Sequence, residues 1–139
     1  MKLDLPKEWQ YSTEMEIRVS DINYGNHMGN ERFLAFAHEA RIRFLENYGL
    51  TELDFGGAAL IQADAAITYK GEGHLGDVVQ IELAAQQTGN SSFNVFYKFT
   101  NRSKGRLMAE LRTAIICFDY EIGKAIKIPE TAVNSGIFR

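Results

Sequence analysis

One stretch of this chain repeats at the period of a helix, and nearly everything around it repeats at two. Between Asn30 and Tyr48 the residues Phe33, Phe36, Ala37, Ala40, Phe44 and Tyr48 gather on one side at ~100° per residue. Ala35, His38, Ile42 and Glu46 fall on the other side, and Gly49 supplies a natural stop. Ahead of this run, Tyr11, Thr13, Met15, Ile17 and Val19 alternate with polar residues as far as Ser20, the pattern of a strand with one buried face. After it come Leu60 to Tyr69, Val78 to Ala85, Phe93 to Phe99 and Leu107 to Phe118, separated by the turn-like segments KGEGHLGD, GNSS and NRSKG. Asp119 to Gly123 turns again, and Pro129 begins a short tail.

Short turns between the late strands predict antiparallel pairing. At ~1.5 Å per residue, the single helix is long enough to lie across a five-stranded sheet. The expected fold is therefore α+β, a five-stranded antiparallel sheet wrapped around one long helix. Leu107 to Phe118 is apolar at most positions on both faces and is expected inside the sheet. One helix covers one face of such a sheet, so self-association, as a dimer or tetramer, is expected to cover more.

A length of 139 residues suits one domain, 1–139, and 45% hydrophobic against 24% charged residues allows a packed core. The formal charge of −3, with no long basic run, argues against a nucleic-acid partner. Cys117 is the only cysteine, which excludes an intrachain disulfide and points to a reducing, cytoplasmic setting. The start, MKLDLPKEWQ, has no apolar signal core, and no window approaches a membrane span, so no membrane partner is expected.

The chemistry gathers at the mouth of the helix, in SDINYGNHMGNERF, Ser20 to Phe33. A helix N-terminus offers free N–H groups and partial positive charge. Met28, Gly29 and Asn30 sit there, and Gly29 would let a ligand carbonyl approach the backbone closely. The plainer reading of the same residues is that Asn26 or Asn30 caps the helix and the glycines make the turn. Imidazole both accepts and donates a proton near neutrality, so His27 is a candidate base; a loop histidine bonded to backbone is its alternative. Asn23 cannot titrate, but can orient a water or donate to an oxyanion. Asp21, just after a strand, suits a structural role. Glu39 lies nine residues beyond Asn30, ~13 Å along the axis and out of reach of the mouth. Arg41 borders the apolar stripe and needs an acceptor if buried. Asp64, among apolar and small residues in LIQADAAITY, is either on a wet sheet face or held near a site. His38 and His74 are expected in solvent. No two histidines have metal-ligand spacing, so no metal or other cofactor is expected.

The order of elements, together with SDINYGNHMGN, HEARIRFLENYGL, ITYKGEGHLGD and FDYEIGKAIKIPE, resembles the hot-dog-fold thioesterases. The similar branch contains 4-hydroxybenzoyl-CoA thioesterase and its acyl-CoA thioesterase relatives, and the likeness runs from about Glu14 to Pro129. The resemblance implies hydrolysis of an acyl thioester, such as an acyl-CoA, at a site between two subunits, with sheets paired edge to edge. It implies catalytic groups in the loop before the helix and helix-mouth amides on the thioester carbonyl. It also implies that Asp64 borders the partner's loop. Many relatives carry Asp-x-Asp in this loop; here the segment is Asp21-Ile22-Asn23, with an amide at the key carboxylate position. Plant acyl-carrier thioesterases, similar in this loop, have a histidine that His27 matches and an asparagine whose place Gly25 takes. The expected site is thus Asn23, His27 and Asp64 for catalysis, with Met28, Gly29 and Asn30 for the carbonyl. The lost aspartate leaves open a hot-dog protein that binds acyl thioesters without turnover. The segment Gly89 to Ser92, basic in some relatives that bind CoA phosphates, is neutral here, so Lys70, Arg102, Lys104 or Arg106 must substitute, or CoA is not the carrier.

Overall fold

The computed structural model describes residues 2–138. Strand β1 is Tyr11–Glu16 and helix α1 is Asn30–Glu46; β2 (Ala59–Tyr69), β3 (Val78–Gln87), β4 (Ser92–Asn101) and β5 (Arg106–Asp119) follow. A two-residue strand β6 (Lys124–Ala125) pairs with β5, and α2 (Glu130–Asn134) is a single short turn of helix. The long strands lie in the order β1-β3-β4-β5-β2, every pair antiparallel, and β5 is interior as its two-sided apolar pattern predicts. β6 follows directly on the expected turn from Asp119 to Gly123, and α2 lies in the expected tail.

The predicted helix stripe is the core. Phe33, Phe36, Ala37, Ala40 and Phe44 are buried, joined by Leu45, against Val95, Tyr97, Phe99 and Leu111 of the sheet. Phe44 stands 5.9 Å from the Tyr11 ring and 5.5 Å from that of Tyr48. Phe33 lies 5.6 Å from Phe99. Regular helix ends at Glu46 rather than Tyr48, because Gly49 adopts φ 73° and Leu50 N–H turns back to the Leu45 carbonyl at 3.0 Å. Truncating Phe44 to Ala, at 0% exposure, should cost ~3–5 kcal/mol. A shift in denaturation midpoint reads this directly; an unmoved midpoint would show that Phe44 carries no core packing.

Two local expectations change. The first strand stops at Glu16, since Val19–Asp21 forms a 3-10 turn that turns Val19 outward to 71% exposure. In β2 an extra residue, Ala63, falls between Gln62, opposite Ile115, and Asp64, opposite Ala114. This bulge reverses the alternation and sets which face Asp64 occupies.

Candidate active site

The loop from β1 to α1 is built around Asp21, 1% exposed. One carboxylate oxygen accepts from the Arg18 backbone N–H (2.8 Å) and Arg18 Nε (3.3 Å); the other accepts from Arg32 Nε at 3.1 Å, with Arg32 Nη2 at 3.0 Å. Burial alone would push this carboxyl up, but the Arg18 and Arg32 hydrogen bonds outweigh it and hold the group below its ordinary value of 3.8. Asp21 is therefore the clamp that fixes the loop to the first turn of α1, the structural role its position suggests. Hydrogen bonds to charged groups are worth ~1.5–3 kcal/mol, so Asp21→Asn should destabilise by about that much near neutral pH. A carboxyl with a depressed folded-state pKa stabilises fully above its unfolded value, and that share is lost as pH falls through the folded value. Denaturation across the acid range should show a shallower acid loss in Asp21→Asn than in the wild type.

Beyond Asp21 the chain makes a tight hairpin. Ile22 bridges Met28, Asn23 N–H donates to the His27 carbonyl at 2.9 Å, and Asn26 N–H to the Asn23 carbonyl at 3.0 Å. Asn26, at φ 65°, is the turn residue and not a helix cap; asparagine tolerates that conformation. Asn23 Oδ1 accepts from Gly25 N–H at 2.9 Å. A Cβ on Gly25 would stand 3.2 Å from Asn23 Oδ1 and 3.4 Å from His27 Nε2, so the amide and the imidazole flank the same bare glycine. His27 Nδ1 lies 3.2 Å from the Met28 carbonyl. A carbonyl only accepts, so in that bond Nδ1 carries the proton and Nε2 is left as acceptor.

The amides at the helix mouth differ from expectation. Met28 N–H is taken by the Gly73 carbonyl at 2.8 Å, and Gly29 N–H by the Asp21 carbonyl at 3.1 Å. Strapping the hairpin to residues 73–74 uses the first of them, and the Asp21 turn uses the second. Gly29 is the N-cap and makes no side-chain cap; Asn30 is the first helical residue, so neither candidate asparagine caps the helix. Among the described residues, the amides of Asn30 and Glu31 have no acceptor. Of the three residues expected to hold a carbonyl, Asn30 has the free donor.

Asn30 and His27 line one cleft of about 240 Å³ with Met28, Phe33, Tyr69, Gly71 and Glu72. Phe33 and Tyr69 wall it edge to face, their centroids 5.2 Å apart, and the Tyr69 hydroxyl donates to the Asn30 carbonyl at 3.4 Å. Asp64 is not brought to this cleft within the chain. Its carboxylate accepts from Arg112 Nη1 at 2.9 Å, on the sheet face turned away from α1 by the bulge. His38 is exposed and bonded to Glu52 at 2.6 Å; His74 is half exposed near Glu72 and Asp77. Glu39 pairs with Arg43 at 2.9 Å. Arg41, buried, donates to Tyr97 Oη (2.9 Å) and Gln62 Oε1 (3.1 Å), and Tyr97 meets Thr113 Oγ1 at 2.7 Å. The buried Cys117 thiol is pushed up to about 11 by desolvation, which removes it as a nucleophile. The sequence reading missed Arg32, Tyr69 and the Glu31 amide. Nothing local marks Arg32, whose partner lies eleven residues back; the position of Tyr69 at the end of an alternating strand beside the glycine-rich turn was the available signal.

Residues 17–134 match the family model of the thioesterase-like superfamily. The long-chain acyl-CoA thioesterase FadM of Escherichia coli strain K12 is 25% identical over 117 residues, 84% of this chain and 89% of that protein. Among solved structures, Slr0204, a 1,4-dihydroxy-2-naphthoyl-CoA thioesterase from Synechocystis, superposes with TM-score 0.82 at 21% identity, covering 90% of this chain and 93% of that one. SAV2348 from Staphylococcus aureus, solved in complex with CoA, superposes with TM-score 0.81 at 18% identity, covering 96% and 85%. With a helix wrapped by an antiparallel sheet and a family match over most of its length, the chain belongs to the thioesterase-like superfamily and is a hot-dog-fold thioesterase.

Proposed function

We propose that this thioesterase hydrolyses acyl-CoA, with the acyl carbonyl at the mouth of α1 and His27 as the base. The observation that carries the reading is the shared cleft: His27 and Asn30, one of the two residues with free helix-mouth amides, line the same cavity. The Asn30 and Glu31 N–H groups are oriented before the reaction and donate to the oxygen that becomes negative. His27 Nε2 takes a proton from water as the water oxygen attacks the carbonyl carbon. The tetrahedral intermediate then collapses, the C–S bond breaks, and the imidazolium returns the proton to the departing thiolate. Asn23, beside the imidazole, orients the water. Phe33 and Tyr69 shield the reacting carbon and receive the acyl group. The FadM relative favours an acyl-CoA over other thioesters.

The reading extends to a second copy. β2 is an edge strand eleven residues long, and its centre from Gln62 to Ala65 is exposed. Pairing two such edges yields the homodimer, and two dimers the tetramer; Asp64, on that strand, then lies near the seam on the face opposite α1. The buried, unreactive Cys117 accords with a cytoplasmic setting.

A panel of acyl-CoAs of rising chain length, followed with a thiol-reactive dye, tests the activity. Thiol release above the uncatalysed rate from at least one member is expected, alongside sedimentation of a dimer or larger at low micromolar concentration. A protein that binds acyl-CoA and releases no thiol from any chain length would reduce the loop to a binding site, which is the reading the missing aspartate favours.

A further inference from the structure

We infer that a second, basic cleft beside the His27 cavity seats the phosphate groups at the nucleotide end of coenzyme A. The inference rests on the acyl-CoA reading above. The cleft, about 500 Å³, is lined by Lys70, His74, Lys104 and Arg106, with Gly71 and Glu72 as the strip it shares with the His27 cavity. It concentrates three cations against one carboxylate in a chain whose formal charge is −3. Lys70 and Arg106 have no carboxylate within ion-pair distance among the described residues. Lys104 has Asp77 at 3.8 Å.

The cations converge because the backbone is pinned. A Cβ on Gly71 would stand 2.7 Å from the Leu107 carbonyl oxygen, so only glycine allows the end of β2 to lie against the start of β5. Lys70 and Gly71 both donate to the Met108 carbonyl, at 2.8 and 3.0 Å, which brings Lys70 alongside Arg106. The turn carrying Lys104 is held by buried Asn101, whose Oδ1 accepts from Lys104 N–H at 3.0 Å while its Nδ2 donates to Asp77 at 2.9 Å. Arg106 is three residues before Ala109, the partner of Tyr69, so the basic cleft opens ~10 Å along the strand from the aromatic wall. The ligand is thus a molecule with an acyl thioester at one end and several negative charges at the other. Coenzyme A carries a pyrophosphate and a 3′-phosphate, matching three cations, whereas a carrier protein presents one phosphodiester. Arg102, the remaining nearby cation, pairs with Glu14 at 2.6 Å and does not line the cleft.

Titration calorimetry with free CoA tests this without any turnover. Each exposed cation that meets a phosphate is worth up to ~1 kcal/mol, or ~5-fold in Kd. Lys70→Ala/Arg106→Ala should therefore raise the CoA Kd by ~20-fold, and Arg102→Ala should leave it within about twofold. The ratio of kcat/KM for acyl-CoA to that for the phosphate-free S-acyl-pantetheine should fall in the double variant by a similar factor. Thermal melting establishes that the variant is folded. An unchanged CoA Kd in the folded double variant overturns the inference. So does wild-type protein that binds pantetheine as tightly as CoA, or a double variant that loses only a phosphopantetheinylated carrier protein. Cleft-dependent CoA binding by a protein that hydrolyses nothing would sustain the inference and refute the hydrolytic reading; hydrolysis with no cleft-dependent CoA binding would do the reverse.

Discussion

Asn30→Pro should lower kcat for acyl-CoA by ~10²–10³-fold while leaving the protein folded. The substitution deletes one atom of interest, the N–H at the first position of α1. Removing one preorganised oxyanion donor typically has an effect of that size. Proline is well tolerated at the first helical position, because its fixed φ suits the helix and that N–H has no helical acceptor. The residue before a proline must be extended, and Gly29 already is, at φ −69° and ψ 148°. Helix and core should therefore survive, which circular dichroism and a melting curve check. The donor acts on charge that develops in the transition state, so kcat should fall more than KM rises. A folded Asn30→Pro protein with wild-type kcat would remove the helix mouth from the mechanism.

His27→Ala should lower kcat by ~10²-fold or more, the usual contribution of a positioned acid-base group. The side chain does little for the fold: among the described residues its one hydrogen bond is to the neighbouring Met28 carbonyl, and the hairpin is closed by backbone bonds that alanine keeps. Stability should change little, so the loss reads as chemistry. Steady-state rates of the two proteins make the comparison. Equal rates in the two would assign the base elsewhere.

Much of this protein is local in origin and legible in the sequence. The period of the run from Phe33 to Phe44 names the buried face of α1 without any knowledge of what covers it, since a helix turns at a constant angle. The same holds for the alternating strands and for β5, whose two apolar faces require neighbours on both sides. The polar loop announces itself too, because so many hydrogen-bonding residues at a helix mouth have no core to enter. Asp21 as a turn clamp followed from its place at the end of a strand.

What only the tertiary structure decided is which groups remain free once distant segments have met. The amides of Met28 and Gly29 read as donors in the sequence, yet Gly73 and Asp21 consume them, and the free pair becomes Asn30 and Glu31. One extra residue at Ala63 sends Asp64 to the face opposite α1, where Arg112 holds it. Arg41 finds Tyr97 fifty-six residues away, and Lys70 and Arg106 line one cleft because Gly71 lets two backbones touch. Periodicity follows from backbone geometry over a few residues and can be read along the chain; hydrogen-bond donors and charges are assigned by whichever partner arrives from elsewhere in the fold, and a single bulge is enough to change which side of a sheet receives them.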